Sequence, residues 1–197
     1  MKQKLKPFIR AVVFLAAVLL VLVLFFPIWQ IQLTAPQYPE GLALKIFAGK
    51  LGGDVEIING LNHYIGMKTL HANDFIEFTV LPYCVIFFAA VVFIVSIINR
   101  KNVLYFVTIL FVIFCIVAMG DFWRWEYNYG HDLNPEAPIQ VPGMAYQPPL
   151  IGYKQLLNFG AFSIPDIGGW IFIAAAVLLV LAMLSEIIAS KKERKLS

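Results

Sequence analysis

Apolar positions along this chain gather into four runs, Ala11–Trp29, Ile76–Ile98, Val103–Met119 and Gly169–Ala189, with polar residues and prolines returning between them. About 20 consecutive apolar residues cross a bilayer core as a helix. A helix also satisfies its own backbone there. The pattern predicts an all-α integral membrane protein of four transmembrane helices, forming a single membrane domain over residues 1–197. Asn99-Arg100-Lys101-Asn102 closes a tight hairpin between the second and third helices. The first run resembles a secretory signal core, but Phe25-Phe26-Pro27-Ile28-Trp29 is bulky where a peptidase needs small residues, so it reads as a retained helix.

Two long outer loops remain, about residues 30–75 and 120–168. Loops of that length usually fold or function. In the first, Leu42–Phe47 and Asp54–Ile58 read as short strands turning through Gly49–Gly53, a small β-hairpin. Asn59–Lys68 then reads as a short helix on the membrane. In the second, Pro135, Pro138, Pro142, Pro148, Pro149 and Pro165 argue against long helix or central strand. Its tyrosines and tryptophans predict an ordered, extended lid packed on the first loop.

Composition agrees with the membrane reading. Hydrophobic residues make up 60% of the chain and charged residues 14%, against roughly half and a quarter in soluble domains. Charge then sets orientation. Lys2, Lys4, Lys6, Arg10, Arg100, Lys101, Lys191, Lys192, Arg194 and Lys195 share one side, leaving Lys45, Lys50, Lys68, Arg124 and Lys154 on the other. By the positive-inside rule both termini are cytoplasmic and the long loops lie on the far side of the membrane. The weak net basicity is therefore topological and implies no nucleic acid; the surrounding partner is lipid. Trp29, Trp123, Trp125 and Trp170 all fall at outer helix ends, where indole rings favour the headgroup layer.

The spans hold no ionisable residue at mid-depth, since Glu77 and Glu186 sit near helix ends. That argues against a pump or ion-coupled transporter. Histidines occur only in the loops, and no Cys-x-x-Cys-His, P-loop or dinucleotide fingerprint is present, so neither haem nor nucleotide is expected. Any chemistry therefore lies outside the membrane. The run Gly120–Tyr127 lacks a base and a nucleophile at credible spacing for a catalytic cluster, and the chain reads as an accessory protein rather than an enzyme.

The chemistry that remains is soft. His63, Met67, His131 and Met144 lie in the outer loops, and a helix through the first of them would align His63, Met67 and His71 at i, i+4 and i+8. Thioether with imidazole suits Cu(I). Cys84, Cys115 and Met119 form a weaker sulfur set in the outer membrane layer, available for Cu(I), for a disulfide or for plain packing. Met beside Tyr and Ile is most often packing too. The dense run Gly120–Tyr127 carries Arg124 between Trp123 and Trp125, with Asp121 and Glu126 nearby. It reads as an aromatic belt with a paired arginine, or as a polar network at the bilayer surface.

Three strings carry a resemblance: Leu61-Asn62-His63-Tyr64-Ile65-Gly66-Met67, Asn128-Tyr129-Gly130-His131-Asp132, and Pro142-Gly143-Met144-Ala145-Tyr146-Gln147-Pro148-Pro149-Leu150-Ile151-Gly152. With them the chain resembles, over nearly its whole length, the four-span membrane proteins encoded beside nitrous oxide reductase in atypical (clade II) gene clusters, the NosB-like proteins. The resemblance implies a multi-pass protein of a bacterial inner membrane with an accessory role in nitrous oxide respiration outside the cytoplasm. It brings no established reaction or ligand set, but the accompanying reductase is a copper enzyme. Copper handling through His63, Met67, His131 and Met144 is thus one reading. A second is a membrane anchor or docking subunit of a respiratory complex, with Trp123, Trp125 and Tyr146 meeting a protein partner. A third is a quinol-interacting subunit with a pocket among Glu77, Tyr83, His131 and the outer helix ends.

Overall fold

The computed structural model describes residues 4–196, with side chains over residues 4–193. Lys2, and the side chains of Arg194 and Lys195, lie outside the described residues. In chain order the elements are helix α1 (Pro7–Val23), strands β1 (Trp29–Ala35), β2 (Tyr38–Ile46) and β3 (Leu51–Gly53), and helix α2 (Val55–Ile65). A 3-10 turn at Ala72–Asp74 leads into α3 (Ile76–Ile98) and α4 (Lys101–His131), followed by β4 (Gly152–Leu156), β5 (Phe159–Pro165) and α5 (Ile167–Leu196).

This is a mixed α/β architecture, and it corrects the all-α, four-span expectation. Three helices, α3, α4 and α5, are long and apolar enough to cross a membrane. The chain is a multi-pass membrane protein carrying an extramembrane sheet domain. Helix α1 has 17 residues, about 25 Å at 1.5 Å per residue, short of a core about 30 Å thick. It packs against both α3 and α5. The expected first span was too long because its last residues belong elsewhere. Pro27 pushes Phe26 toward extended backbone, and Trp29 opens β1.

The five strands form one antiparallel sheet in the order β3-β2-β1-β5-β4. In β1, Trp29, Ile31 and Leu33 alternate with Gln30, Gln32 and Thr34, so one face is apolar. The hairpin expected within the first loop pairs β2 with Leu51–Gly53, and Asp54–Ile58 turns helical instead. The second loop supplies β4 and β5. Strand β5 lies between β1 and β4, against the expectation of no central strand. Its one proline, Pro165, is its last residue; the other five precede the hairpin. Trp29 is buried and donates from Nε1 to Ser163 Oγ at 2.8 Å. It is a core residue of the sheet domain, not part of a headgroup belt. Trp123 and Trp170 are exposed.

Helix α4 has 31 residues, about 46 Å of rise, and so outruns the hydrocarbon. Its final turns pack Phe122, Trp125 and Tyr129 against Trp29, Ile31, Leu42 and Leu44 of the sheet, with Ile58 of α2 in the same cluster. The sheet has open edges at β3 and β4, which hydrocarbon does not tolerate, so this part of α4 stands outside the bilayer with it. The start of α5 is pinned by small residues to the segment that leads from α1 into β1: Gly168 N donates to Pro27 O at 2.8 Å, and a Cβ on Gly169 would lie 2.2 Å from Ile28 O.

Candidate functional site

The two long loops meet. Helix α2 stops at Ile65, where Gly66 takes a left-handed φ of 80° that other residues rarely adopt. The Gly66 carbonyl accepts from Asn134 N at 2.8 Å, and Tyr64 O accepts from Ile139 N at 2.9 Å. Farther along, Tyr146 N donates to Gly130 O at 2.9 Å on the last turn of α4. Lys68 pairs with Asp132 between the loops, in the open. Asn59, buried on α2, clamps the returning chain twice: its Oδ1 accepts from Leu70 N at 2.7 Å and its Nδ2 donates to Leu70 O at 3.2 Å.

These contacts close a cavity of about 350 Å³ between the sheet, α2, the end of α4 and the second loop. Its walls are largely apolar, with Ile31, Leu44, Ile58 and Met67 among them. The polar groups are few and connected. Asn62 Nδ2 donates to Tyr129 Oη at 2.7 Å, and the Tyr129 hydroxyl donates to Lys68 O. Burial raises the pKa of Tyr129, so it is a neutral donor. Tyr146 also lines the cavity; its hydroxyl is buried with no partner among the described residues, and burial raises its pKa as well. A cavity of this size, apolar with a few placed hydroxyl and amide groups, is built for binding.

The expected ligands for copper are scattered around this cavity. Met67 is buried in its wall. His63 is exposed on α2, and His71 is exposed beyond the turn; because α2 ends at Ile65, the His63, Met67, His71 alignment that a longer helix would give is lost. His131 is the last residue of α4, exposed, its ring stacked on Tyr127 at 4.0 Å and its Nδ1 within 2.8 Å of Tyr127 O. That leaves Nε2 free. Met144 is half-buried, its N donating to Val141 O at 3.0 Å. Among the described residues no three His, Cys, Asp or Glu side chains gather where a metal ion would sit. Cys84 and Cys115 are both free thiols. Cys84 faces a cleft between α3 and α4, Cys115 packs on the bundle core, and Met119 is exposed.

The aromatic candidates divide. Trp123 is exposed, whereas Trp125 stacks on Tyr129 and Tyr146 is 2% exposed. Trp125 is half-buried, and Tyr146 alone is enclosed. The residues that sequence reasoning missed are the buried polar ones, Asn59 and Asn62, and Glu126. Glu126 has no exposed surface, and neither carboxylate oxygen has a partner among the described residues. Of the two readings of Gly120–Tyr127, the locally paired arginine is the one present: Arg124 pairs with Asp121 in the open at 2.6 Å.

Gly130 is required where the second loop lands on α4, because a Cβ there would stand 2.3 Å from Gln147 N. Gly130→Ala is expected to lift the loop and cost about 1–3 kcal/mol. Limited proteolysis would show new cleavage within residues 132–150; an unchanged digestion pattern would refute the docking role.

Compared with protein-family models, curated proteins and solved structures, the chain matches none.

Proposed function

We propose that this chain is a non-catalytic accessory membrane protein of nitrous oxide respiration, whose sheet domain docks an extracytoplasmic copper enzyme. One observation carries the reading: the three strings that bear the resemblance, the first about sixty residues before the other two, are gathered around one cavity. Leu61–Met67 forms one wall, Asn128–Asp132 ends α4 beside it, and Tyr146 and Pro148 of the third string line it. Orientation is part of the same proposal. The start of α1, the α3–α4 turn and the C-terminal part of α5 meet at the end away from the sheet, through Leu5 N to Asn99 Oδ1 and Lys6 N to Glu186 Oε1. Arg10, Arg100, Lys191 and Lys192 cluster on these segments, which favours a cytoplasmic placement for that end.

The docking surface is the exposed apolar ground beside the cavity, where Tyr64 and Ile139 are joined by their backbone bond and are 55% and 49% exposed. Large apolar side chains at such positions dominate interface energetics. Tyr64→Ala with Ile139→Ser is expected to abolish co-purification of the reductase while the protein stays folded. Undiminished co-purification would refute this surface.

Copper handling keeps one specific support. The Nδ1 contact of His131 fixes that ring and leaves Nε2 exposed, the arrangement usual for a metal-ligating histidine. An anaerobic Cu(I) titration of wild type beside His63→Ala/His131→Ala decides between the readings. Stoichiometric binding lost in the variant makes the chain a copper carrier; no binding above background leaves the docking role.

A further inference from the structure

A second cavity, of about 480 Å³, lies between the outer halves of α3 and α4. The two helices are joined by a short turn, yet they touch only over a short stretch and leave a cleft. Pro82 lies inside α3 at this level; it lacks the N–H that would bond Phe78 O, which loosens the helix there. The cleft runs from Glu77 at the start of α3 down to Cys84, about 10 Å along the helix. It therefore straddles the outer bilayer surface, from the extramembrane turns of α4 and Phe47 of the sheet domain down to Cys84, and its lower end opens to lipid beside Val80 and Val117.

Its walls are unusually aromatic: Phe47, Phe75, Phe78, Phe114, Phe122 and Trp125 all line it. Trp125 lines the sheet-domain cavity as well. The rim carries three charged residues, Glu77, Asp121 and Arg124. Arg124 is taken by Asp121, whereas Glu77 enters none of the ion pairs among the described residues.

These features select an occupant. A phospholipid phosphate would meet two carboxylates and one guanidinium already paired, which disfavours it. A neutral planar ring stacks well on aromatic faces, and a hydroxyl on that ring finds an acceptor in the Glu77 carboxylate. An apolar tail would lie along Val80, Leu81 and Val117 toward the lipid. We propose that the α3–α4 cleft binds an isoprenoid quinol, with its ring among the phenylalanines and a ring hydroxyl donating to Glu77. The proposal concerns binding alone and stands independently of the docking role.

The test uses the full chain in nanodiscs of zwitterionic phosphatidylcholine, titrated with reduced decylubiquinone and read by quenching of tryptophan fluorescence. Saturable quenching is expected for wild type and for Tyr153→Phe, whose side chain is exposed on β4, away from the cleft. Ala118→Phe fills the cleft and is expected to remove the saturable component. Glu77→Gln keeps the shape but weakens the acceptor, and a loss of affinity of about tenfold is expected. Quenching that never saturates, or that is equal in wild type, Ala118→Phe and Glu77→Gln, overturns the proposal. So does quenching by brominated phosphatidylcholine that decylubiquinol fails to displace, which would make lipid the occupant. Should Ala118→Phe not fold, Glu77→Gln alone decides.

Discussion

Lys101→Met is expected to destabilise the helix bundle by about 3–5 kcal/mol, the usual cost of removing one partner from a buried ion pair. Lys101 Nζ lies 2.9 Å from Glu186 Oε2, and their side chains are 5% and 0% exposed. The pair is embedded in further bonds: Lys101 Nζ donates to Ser190 Oγ at 3.0 Å, and Glu186 Oε1 accepts from Lys6 N at 3.0 Å. One carboxylate therefore ties α4 and α5 to the start of α1, whose first N–H groups have no partner within their own helix. Arg10 Nε adds a bond to Ser96 O of α3 at 3.0 Å. Without the ammonium, Glu186 is an uncompensated charge with no water to reach. Lys101→Met/Glu186→Leu is expected to recover most of the loss, because replacing both partners by apolar groups is often neutral or better. Only the Lys6 N–H then lacks its acceptor, at about 1 kcal/mol. Unfolding curves in mild detergent check this; a single variant no less stable than the double would show that the pair does not hold the bundle.

That cluster bears on what the sequence could tell. Glu186 was legible as an acidic residue near a helix end, but its partner is 85 residues away in Lys101, and only the packing of α4 on α5 brings them together. Long apolar runs were easy to read, and Ile76–Ile98 is a helix with the bounds its hydropathy gives. The failure came where two periods abut. Trp29-Gln30-Ile31-Gln32-Leu33 has the alternation of a half-buried strand, but an apolar run ending in Trp29 absorbed its first residue. Helix α2 was misread for the opposite reason: Val55, Ile58, Leu61 and Ile65 fall at helical spacing, but Val55–Ile58 alone also looks like a strand. Strand β5 carried no local signal. Gly160, Ala161 and Ser163 are small because β5 is sandwiched in the sheet, and its partner β1 lies about 130 residues earlier, a pairing that no local window contains.

The site was partly legible in the same sense. His63, His131 and the strings around them lie where the two loops meet, so residues singled out in the sequence border the cavity. His63, Met67 and His71 share a face only on a helix that Gly66 ends. The polar residues that organise the cavity, Asn59 and Asn62, fall in the short helix expected on the membrane, where no local pattern marks them as buried. Their burial depends on the sheet, and the sheet was the part the sequence concealed.

Glu126→Gln should make stability insensitive to pH where the wild type is not. Glu126 sits on the extramembrane turns of α4, fully buried, and burial without a compensating partner pushes its pKa up from 4.5 to about 8. The folded state therefore holds a proton that the unfolded chain releases near 4.5. Below that value both states are protonated and no penalty exists. Between about 4.5 and about 8 the folded form binds more protons than the unfolded one, so stability falls as pH rises, by about 1.4 kcal/mol per unit. Above about 8 the buried carboxyl ionises and the penalty levels off, on the order of 3–5 kcal/mol in all. Glutamine keeps the shape of the neutral acid and carries no such penalty. The variant should thus match wild type near pH 4.5 and exceed it progressively toward pH 8. Unfolding midpoints of both proteins across that range measure the gap directly, and curves that stay parallel would mean that Glu126 meets water or a cation that its surroundings do not show. The gap also reports on the docking surface: a folded state that loses stability on deprotonating beside Gly130 loosens the landing point of the second loop first, so proteolysis within residues 132–150 should rise with pH in wild type and stay flat in Glu126→Gln.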